Sequence, residues 1–257
     1  MVQKILVISD THCGSQSAIM PYEYEVCNYS EDRCYKITAN KTQEKLYSEW
    51  EKMIDTVGKV DGVFLLGDLI DGTNQKGVSM GLSNADLNWQ QEMAIDLIKM
   101  IPVKYGNYYA VQGSAYHTGN NGGQDYGIAK ALTREAHSKF VFGDDILVDI
   151  EDIKIHARHV TSYTKNVNLR QNSLSRDVLE ALSEGKRTGK IDIFLRGHTH
   201  SYAALDYKPY FSAHVCPCWK GRDSFISQRS ILSPDCGYMV IDIDRSDYEV
   251  TPHIFKV

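Results

Sequence analysis

The 257-residue sequence predicts an α/β fold in which a second sheet packs on the first. Short, continuously apolar segments alternate with longer segments whose apolar residues recur at spacings of three and four. The first pattern is typical of strands covered on both faces and the second of amphipathic helices. From Tyr202 onwards the pattern consists mostly of strands and loops, which indicates the additional sheet. Hydrophobic residues make up 42% of the chain and charged residues 24%, which excludes a disordered or collagen-like protein.

The predicted elements follow in chain order. Residues 4–9 form the first strand because they contain an apolar run from Ile5 to Ile8, and residues 42–57 form a helix because apolar side chains recur at helical spacing from Leu46 to Val57. The same patterns predict helices at 85–101, 124–137 and 171–185 and strands at 62–66, 107–111, 146–150, 153–157, 191–195, 238–243 and 248–255. No internal repeat or linker divides the chain, so we expect one domain over residues 1–257, with elaborated loops at about 13–40, 74–84 and 209–234.

The charge and cysteine content exclude several classes of function. Lys and Arg number 28 and Asp and Glu 33, so the formal net charge of −5 argues against indiscriminate binding of polyanions. No apolar stretch approaches the ~20 residues that a membrane-spanning helix needs, and the N-terminal apolar run is too short for a signal peptide. The six cysteines lack zinc-finger spacing, so we expect reduced cysteines and a cytoplasmic protein without membrane contact.

Polar residues cluster directly after the apolar strands, where ligands bind in open α/β sheets. The segments that follow the strands are Asp10-Thr11-His12, Gly67-Asp68, Gly113-Ser114-Ala115-Tyr116-His117, His159 and Gly197-His198-Thr199-His200. Without His117 they contain four imidazoles and two carboxylates, and His117 adds a fifth imidazole. Mixed imidazole and carboxylate ligands suit Mn, Fe, Zn or Ni better than Ca or Mg. Six or seven ligands exceed the need of one tetrahedral ion, so two ions that share a bridging carboxylate are expected. Two such ions can clamp the attacking and leaving oxygens of a phosphoryl displacement.

Glycine residues allow the backbone to turn sharply after these strands. Asp-x-His and His-x-His segments face one site only if the chain bends at the strand exit, and we expect Gly14, Gly67 and Gly197 to permit that bend.

These motifs resemble a known family. Asp10-Thr11-His12, Gly67-Asp68 and Gly197-His198-Thr199-His200, with His159 between them, are similar in order and strand context to the motifs of the calcineurin-like metallophosphoesterases over about residues 4–205. The resemblance implies a four-layer α/β/β/α sandwich and two divalent transition-metal ions, for which we favour manganese. It also implies one ion held by Asp10, His12 and His200, a bridging Asp68, and a second ion held by His159 and His198.

The third motif departs from the family pattern. The family usually has Gly-Asn-His and an acidic residue, where Asn binds the second metal and His contacts the phosphate or protonates the leaving group. Here Ser114 stands at the Asn position and His117 is displaced by two residues, a form that resembles a branch associated with phages and prophages. His117 is the candidate catalytic acid. If it instead binds the second metal it cannot donate a proton, and this alternative favours hydrolysis of a phosphodiester over a monoester.

Several neighbouring residues have competing interpretations. His156 and His159 point to opposite faces of a continuing strand, and we favour His159 as the ligand because it lies at the strand exit. Asp71 is expected to be a turn residue or an outer carboxylate that orients a metal-bound imidazole. Four further side chains are weaker candidates: Asn120 or Asn121 as a replacement for the missing Asn ligand, and Arg170, with Lys165 as its alternative, as a contact to substrate phosphate.

The sequence therefore predicts a dinuclear metal-dependent phosphoesterase. Because we favour the alternative in which His117 approaches the metal centre, we expect its substrate to be a phosphodiester of the nucleotide or nucleic-acid type in preference to a monoester. A nuclease within a larger assembly is one alternative, although the composition shows no broad basic groove. A non-enzymatic scaffold that retains the fold is another, although loss of several ligands would be its mark. Protein partners are left open.

Overall fold

The computed structural model describes residues 2–28, 33–73, 81–119, 122–133, 139–160, 170–184, 189–223 and 233–257. In these residues the strands are β1 (Gln3–Ile8), β2 (Glu23–Asn28), β3 (Arg33–Thr38), β4 (Gly62–Leu65), β5 (Tyr108–Val111), β6 (Phe140–Gly143), β7 (Asp145–Ile150), β8 (Ile153–Arg158), β9 (Ile193–Arg196), β10 (Ala203–Tyr207), β11 (Phe211–Val215), β12 (Cys236–Asp244) and β13 (Asp247–Phe255). The helices are α1 (Lys41–Val57), α2 (Leu87–Lys99), α3 (Ala115–Thr118), α4 (Gly123–Leu132) and α5 (Arg170–Glu184). Among the described residues, none of the helices is both long and apolar enough to span a membrane.

Two mixed sheets form the centre of the molecule. The first has the order β13-β12-β1-β4-β5-β6, in which β1, β4, β5 and β6 are parallel, β12 runs antiparallel to β1, and β13 runs antiparallel to β12. The second has the order β10-β11-β9-β8-β7, in which β11, β9 and β8 are parallel. The parallel strands of each sheet therefore end at a common edge, where the polar segments of the sequence follow them.

The alternation of side chains along β1 shows how the layers are packed. Ile5 and Val7 belong to a buried cluster shared with the second sheet, whereas Leu6 and Ile8 belong to a cluster that contains α1, α2 and α4 side chains. On the far side of the second sheet, Leu174 of α5 packs with Phe194 of β9. The order of layers is therefore helix, sheet, sheet, helix, which confirms the predicted four-layer α/β/β/α sandwich.

Each predicted helix and strand has a counterpart, but two of the three loops contain more structure than expected. Residues 13–40 were predicted to be irregular, and instead they contain the β2–β3 hairpin, whose Val26 is buried and whose Tyr24 donates to Asp96 Oδ2 over 2.7 Å. Within residues 209–234, Phe211–Val215 forms β11 because it pairs with β9 and β10. Residues 74–80 of the third loop lie outside the described residues.

The prediction that the cysteines are reduced is wrong for one pair. Cys27 and Cys34 lie directly opposite each other in the β2–β3 register and form a disulfide. The sequence could not reveal this pair because the hairpin itself was not predicted. Four other cysteines, Cys13, Cys216, Cys218 and Cys236, are free and buried.

Candidate metal centre

Five strand ends, drawn from both sheets, bring the predicted ligands together. Asp10 and His12 follow β1, Asp68 follows β4 and His117 lies on α3 after β5, while His159 follows β8 and His198 and His200 follow β9. Asp10, His12, Asp68 and His159 are almost fully buried, and the others are partly buried. Among the described residues, three overlapping groups have ligand atoms within 4.8 Å of one another: Asp10 with His12 and His200, His12 with Asp68 and His117, and Asp68 with His159 and His198.

The backbone at these positions adopts a conformation that side-chain-bearing residues seldom adopt. The φ angles of Asp10, His12, Asp68, His198 and His200 are 53°, 44°, 51°, 72° and 53°. Non-glycine residues in the left-handed region are uncommon, and where they cluster they mark functional sites held in place by surrounding structure. The chain therefore uses strained turns to direct ligand side chains of three motifs toward one site.

The glycines contribute in two different ways. Gly14 and Gly67 have positive φ angles of 105° and 83°, as expected for the sharp turns. Gly197 does not have a positive φ, and the chain after β9 adopts positive φ angles at His198 and His200 instead. The small size of Gly197 is what counts, because a Cβ there would clash with Ser9 Oγ and lie 3.1 Å from both Asp10 Oδ2 and His159 Nδ1.

At one end of the centre, three side chains converge on a common point. Nε2 of His12 lies 3.0 Å from Nε2 of His200, and Oδ1 of Asp10 lies 3.2 Å from Nε2 of His200 and 3.7 Å from Nε2 of His12. Two imidazole nitrogens and a carboxylate oxygen this close together form the kind of donor set that binds a divalent transition metal.

At the other end, Asp68 faces His159 and His198. Nε2 of His159 lies 3.0 Å from Oδ2 of Asp68, and the His159 and His198 rings are 5.2 Å apart between centroids. The backbone N–H of His198 donates to Oδ2 of Asp10 over 3.0 Å, which ties this end to the first. Asp68 belongs both to this group and to the group that contains His12 and His117.

The variant third motif contributes both Ser114 and His117. The backbone N–H of Ser114 donates to Asp68 Oδ1 over 2.7 Å, and its hydroxyl lies 3.0 Å from both oxygens of the same carboxylate. The His117 ring packs edge-on against His12 with 4.5 Å between ring centroids. Ser114 therefore positions Asp68, and His117 lies against His12, one of the three side chains that converge at the first end of the centre.

Hydrogen bonds at Nδ1 orient the imidazoles. Nδ1 of His117 donates to the main-chain oxygen of Asp71 over 2.7 Å, and Nδ1 of His159 donates to the main-chain oxygen of Leu66. Because a carbonyl can only accept, Nε2 of each neutral ring carries the lone pair. Nδ1 of His12 lies 2.9 Å from Asp71 Oδ1, which confirms the expected contact between the outer carboxylate and an imidazole.

The donor atoms fit a divalent cation. Oδ1 of Asp10 and Nε2 of His159 are buried and have no well-aligned hydrogen-bond partner among the described residues. Buried polar groups normally find such a partner, so atoms of this kind that face one another indicate a cation site. The imidazoles oriented through Nδ1 direct Nε2 inward, as metal-binding histidines do.

The pKa shifts show how strongly the site favours buried negative charge. Although burial raises the pKa of Asp10, the neighbouring His12 and His200 hold that pKa well below its usual range. Burial likewise opposes ionisation of Asp68, but His159 holds its pKa below the usual range. Burial lowers the pKa of His159, yet Asp68 outweighs it and raises the pKa to about 10. Burial lowers the pKa of His117 to about 4, so this ring is neutral at neutral pH.

Two buried residues near the centre were missed from the sequence. Asp125 of α4 accepts hydrogen bonds from the backbone N–H groups of Asp68, Leu69 and Gly113, and burial, together with the nearby Asp68, raises its pKa to about 7. The Nζ of Lys220 lies 2.8 Å from Asp71 Oδ1. Neither residue belongs to a recognisable motif. A carboxylate within a glycine-rich helix start was the one available signal for Asp125.

The remaining predicted residues lie elsewhere or outside the described part of the chain. His156 belongs to none of the three ligand groups and instead packs against Phe194, which supports the choice of His159. The backbone of Arg170 begins α5, but its side chain lies outside the described residues. Asn120, Asn121 and Lys165 also lie outside them.

A two-sheet sandwich with aspartate and histidine ligands at its strand ends defines the metallophosphoesterase class. The chain matches the family model for calcineurin-like phosphoesterases over residues 3–202, and it belongs to that family. The predicted family is therefore confirmed. Proteins of this family use divalent metal ions and act on phosphate esters.

Several solved structures have the same fold as this chain. Vps29 from Chaetomium thermophilum has a TM-score of 0.51 and 11% identity, with 98% of this chain and 97% of that chain covered. Zinc-complexed Vps29 from Entamoeba histolytica has a TM-score of 0.50 and 14% identity, with 98% of each chain covered. An archaeal phosphodiesterase has a TM-score of 0.50 and 15% identity, with 98% and 100% covered. At these identities the likeness shows the fold alone. No curated protein matches the sequence significantly.

Proposed function

We propose that this chain is a phosphoesterase that requires two divalent metal ions. The proposal assigns Asp10, His12 and His200 to one ion, His159 and His198 to the other, and Asp68 to both. The supporting observation is that the three ligand groups form one continuous row, because His12 and Asp68 each belong to two of them. Manganese is the first metal to test, since imidazole and carboxylate together suit it.

In this proposal the protein residues hold the metal ions, orient the ligand side chains and neutralise the charge of the ions. Bound divalent ions would supply Lewis-acid stabilisation of the phosphoryl oxygens and activation of water. Asp10 and Asp68 supply the buried negative charge that attracts the ions, and Ser114 fixes the Asp68 carboxylate by two donors. The left-handed turns keep the ligands in place before metal binds, so little reorganisation accompanies the reaction.

We further propose that the substrate is a phosphodiester, of the nucleotide or nucleic-acid type. His117 donates its Nδ1 proton to a carbonyl and its ring is neutral at neutral pH, so Nε2 carries a lone pair toward the centre and has no proton to give. This supports His117 as an additional metal ligand and not as the general acid. A site without a general acid is least suited to monoesters with poor leaving groups, because proton donation typically contributes 10²–10⁴-fold.

Asp68→Asn tests the metal assignment. Loss of the shared negative charge should lower bound metal below two ions per chain and reduce turnover of an aryl phosphodiester with Mn²⁺ on the order of 100-fold. Asp149→Asn, at an exposed position of β7, is the matched control and should behave as wild type. Metal content and initial rates are the measurements. An Asp68→Asn protein with two metals and full turnover would contradict the assignment.

His117→Ala tests the substrate preference. We expect loss of one metal ion and uniformly low turnover of two aryl phosphodiesters whose leaving groups differ in pKa. Retained metals with a selective loss on the poorer leaving group would restore His117 as the general acid. The two results are distinguished by combining metal analysis with a comparison of rates on the two substrates.

Two alternative functions keep the same metal centre but predict different results. A nuclease should cleave single-stranded DNA in the presence of Mn²⁺ faster than it cleaves a generic aryl diester. A non-enzymatic scaffold, an alternative to which the Vps29 fold likeness draws attention, should bind metal but turn over none of a panel of nucleotides, cyclic nucleotides and oligonucleotides. The six ligands present in this chain support the enzyme over the scaffold.

A further inference from the structure

Lys220 lies beyond residue 202, where the match to the family model ends, yet it reaches the metal centre. Main-chain hydrogen bonds fix its segment against the first motif. The N–H of Trp219 donates to the main-chain oxygen of Asp10 over 3.0 Å, and the N–H of Gly221 donates to that of Ser17 over 2.7 Å. Lys220 itself forms an isolated β-bridge with Ala18. The Lys220 side chain is therefore held at a defined position beside the ligands that follow β1.

The ammonium group of Lys220 is buried and has two carboxylate partners. Its Nζ lies 2.8 Å from Oδ1 of Asp71 and 3.2 Å from Oδ2 of Asp223, and the residue is only 6% exposed. The same Oδ1 of Asp71 lies 2.9 Å from Nδ1 of His12. One carboxylate oxygen thus joins the lysine to a predicted metal ligand.

Removing a buried cation leaves the negative charge of its partner carboxylate uncompensated, and a carboxylate in that state rotates, takes up a proton or admits water. Each of these responses would disturb the 2.9 Å contact between Asp71 Oδ1 and His12 Nδ1. Asp71 also positions a second imidazole, because its main-chain oxygen accepts from His117 Nδ1. Lys220 is therefore connected to two histidines of the centre through a single residue.

We infer that Lys220 is a positioning residue which, through Asp71, holds the His12 imidazole with Nδ1 protonated and Nε2 directed at the metal. This inference rests on the proposed function, since it assigns His12 as a metal ligand. It predicts that Lys220 contributes to metal affinity without touching metal or substrate. Partners of metal-binding imidazoles typically change metal affinity 10–100-fold when they are mutated.

Lys220→Met tests the inference because it removes the charge and retains an unbranched apolar side chain. Mn²⁺ titrated into the metal-free protein by calorimetry should bind about 10–100-fold more weakly than to wild type. The ¹⁵N NMR spectrum of histidine-labelled metal-free protein should show that His12 no longer holds one tautomer. Lys220→Arg should recover most of the affinity. Lys104→Met, which removes a lysine paired with Asp61 at 3.4 Å outside the centre, is the matched control and should leave both measurements unchanged.

A comparison in the Asp71→Asn background keeps the inference testable if Lys220→Met alone does not fold. Asp71→Asn combined with Lys220→Met removes both buried charges, and Lys220→Met should weaken Mn²⁺ binding little further in that background. A further loss of about 10-fold or more on adding Lys220→Met to Asp71→Asn would overturn the inference, as would a Lys220→Met protein with wild-type affinity and an unchanged His12 tautomer. Wild-type protein that binds no divalent metal would overturn the proposed function as well, so the two failures are distinguishable.

Discussion

Replacing Gly113 with alanine should destabilise the fold and disrupt the metal centre, because no space for a side chain exists between Asp68 and α4. A Cβ on Gly113 would lie 2.2 Å from the main-chain nitrogen of Asp68, 2.3 Å from its Oδ1 and 2.8 Å from Asp125 Oδ2. Non-bonded atoms prefer about 3.5–4.0 Å, so the Asp68 turn has to move by more than about 1 Å. A movement of that size displaces the carboxylate that both proposed ions share.

The expected loss of stability can be estimated from two contributions. Overpacking of a well-filled site costs about 1–3 kcal/mol. The N–H of Gly113 also donates to Asp125 Oδ2 over 2.8 Å, and a hydrogen bond to a charged group contributes about 1.5–3 kcal/mol. Together they predict a decrease of about 2.5–6 kcal/mol in the free energy of unfolding. Since domains are typically stable by about 5–15 kcal/mol, the variant should remain folded at low temperature but bind Mn²⁺ poorly.

Urea unfolding of the metal-free protein, followed by Mn²⁺ titration, measures both effects. Gly123→Ala is the matched control because Gly123 opens α4 and no atom lies within 4 Å of a Cβ placed there. It should be neutral or stabilise the protein by up to about 1 kcal/mol. If Gly113→Ala lost less than about 1 kcal/mol and kept wild-type metal affinity, the described packing of the strand ends would be wrong.

Three further predictions follow from other residues. His200→Ala should lower turnover far more than His156→Ala, because only His200 belongs to a ligand group, and equal losses in a rate assay would contradict the assignment. Asp125→Asn leaves one oxygen to accept from three N–H groups, so urea unfolding should show a loss of about 1–3 kcal/mol and Mn²⁺ titration a weaker affinity. Burial lowers the pKa of His214 to about 4, so the unfolded chain binds a proton that the native protein does not between about pH 6.5 and pH 4. The free energy of unfolding should therefore decrease as the pH is lowered through that window. His214→Gln should reduce the loss of stability between pH 7 and pH 5 by about 2 kcal/mol, and an unchanged loss would show that His214 is not its source.

The parts of the molecule that were predictable from sequence are those with a strong local signal. A continuously apolar run such as that of β1 indicates a buried strand regardless of its partners, and polar residues directly after such strands lie at one edge of the sheet. These two rules suffice to predict that Asp10 and Asp68 lie near each other, whereas the proximity of His159 also depends on how the second sheet packs on the first. The assignment of each to a particular ion stays a prediction, because the contacts define the ligand groups and not their occupants.

The parts that were not predictable depend on tertiary contacts. The β2–β3 hairpin is mostly exposed along β3, so its apolar alternation is weak and only its packing against the core through Tyr24 and Val26 defines it. Lys220 and Asp71 are distant in sequence, and a lysine in a loop gives no indication of which carboxylate it will meet. Asp125 lies in the short helix α4, whose buried face becomes clear only when the strands beneath it are known. Which charged side chains are buried depends on how the sheets and helices pack together.

The position of β1 between β4 and β12 has a consequence for the growing chain on the ribosome. β4 covers one edge of β1 early in synthesis, but the other edge of β1 stays unpaired until the residues of β12, Cys236–Asp244, have been synthesised. At a synthesis rate of about 5–20 residues per second, that edge stays open on the order of 10 s or more. An apolar strand with an unpaired edge readily joins other chains, so nascent chains that stop before residue 236 should depend on chaperones and be more protease-sensitive than chains that include β12.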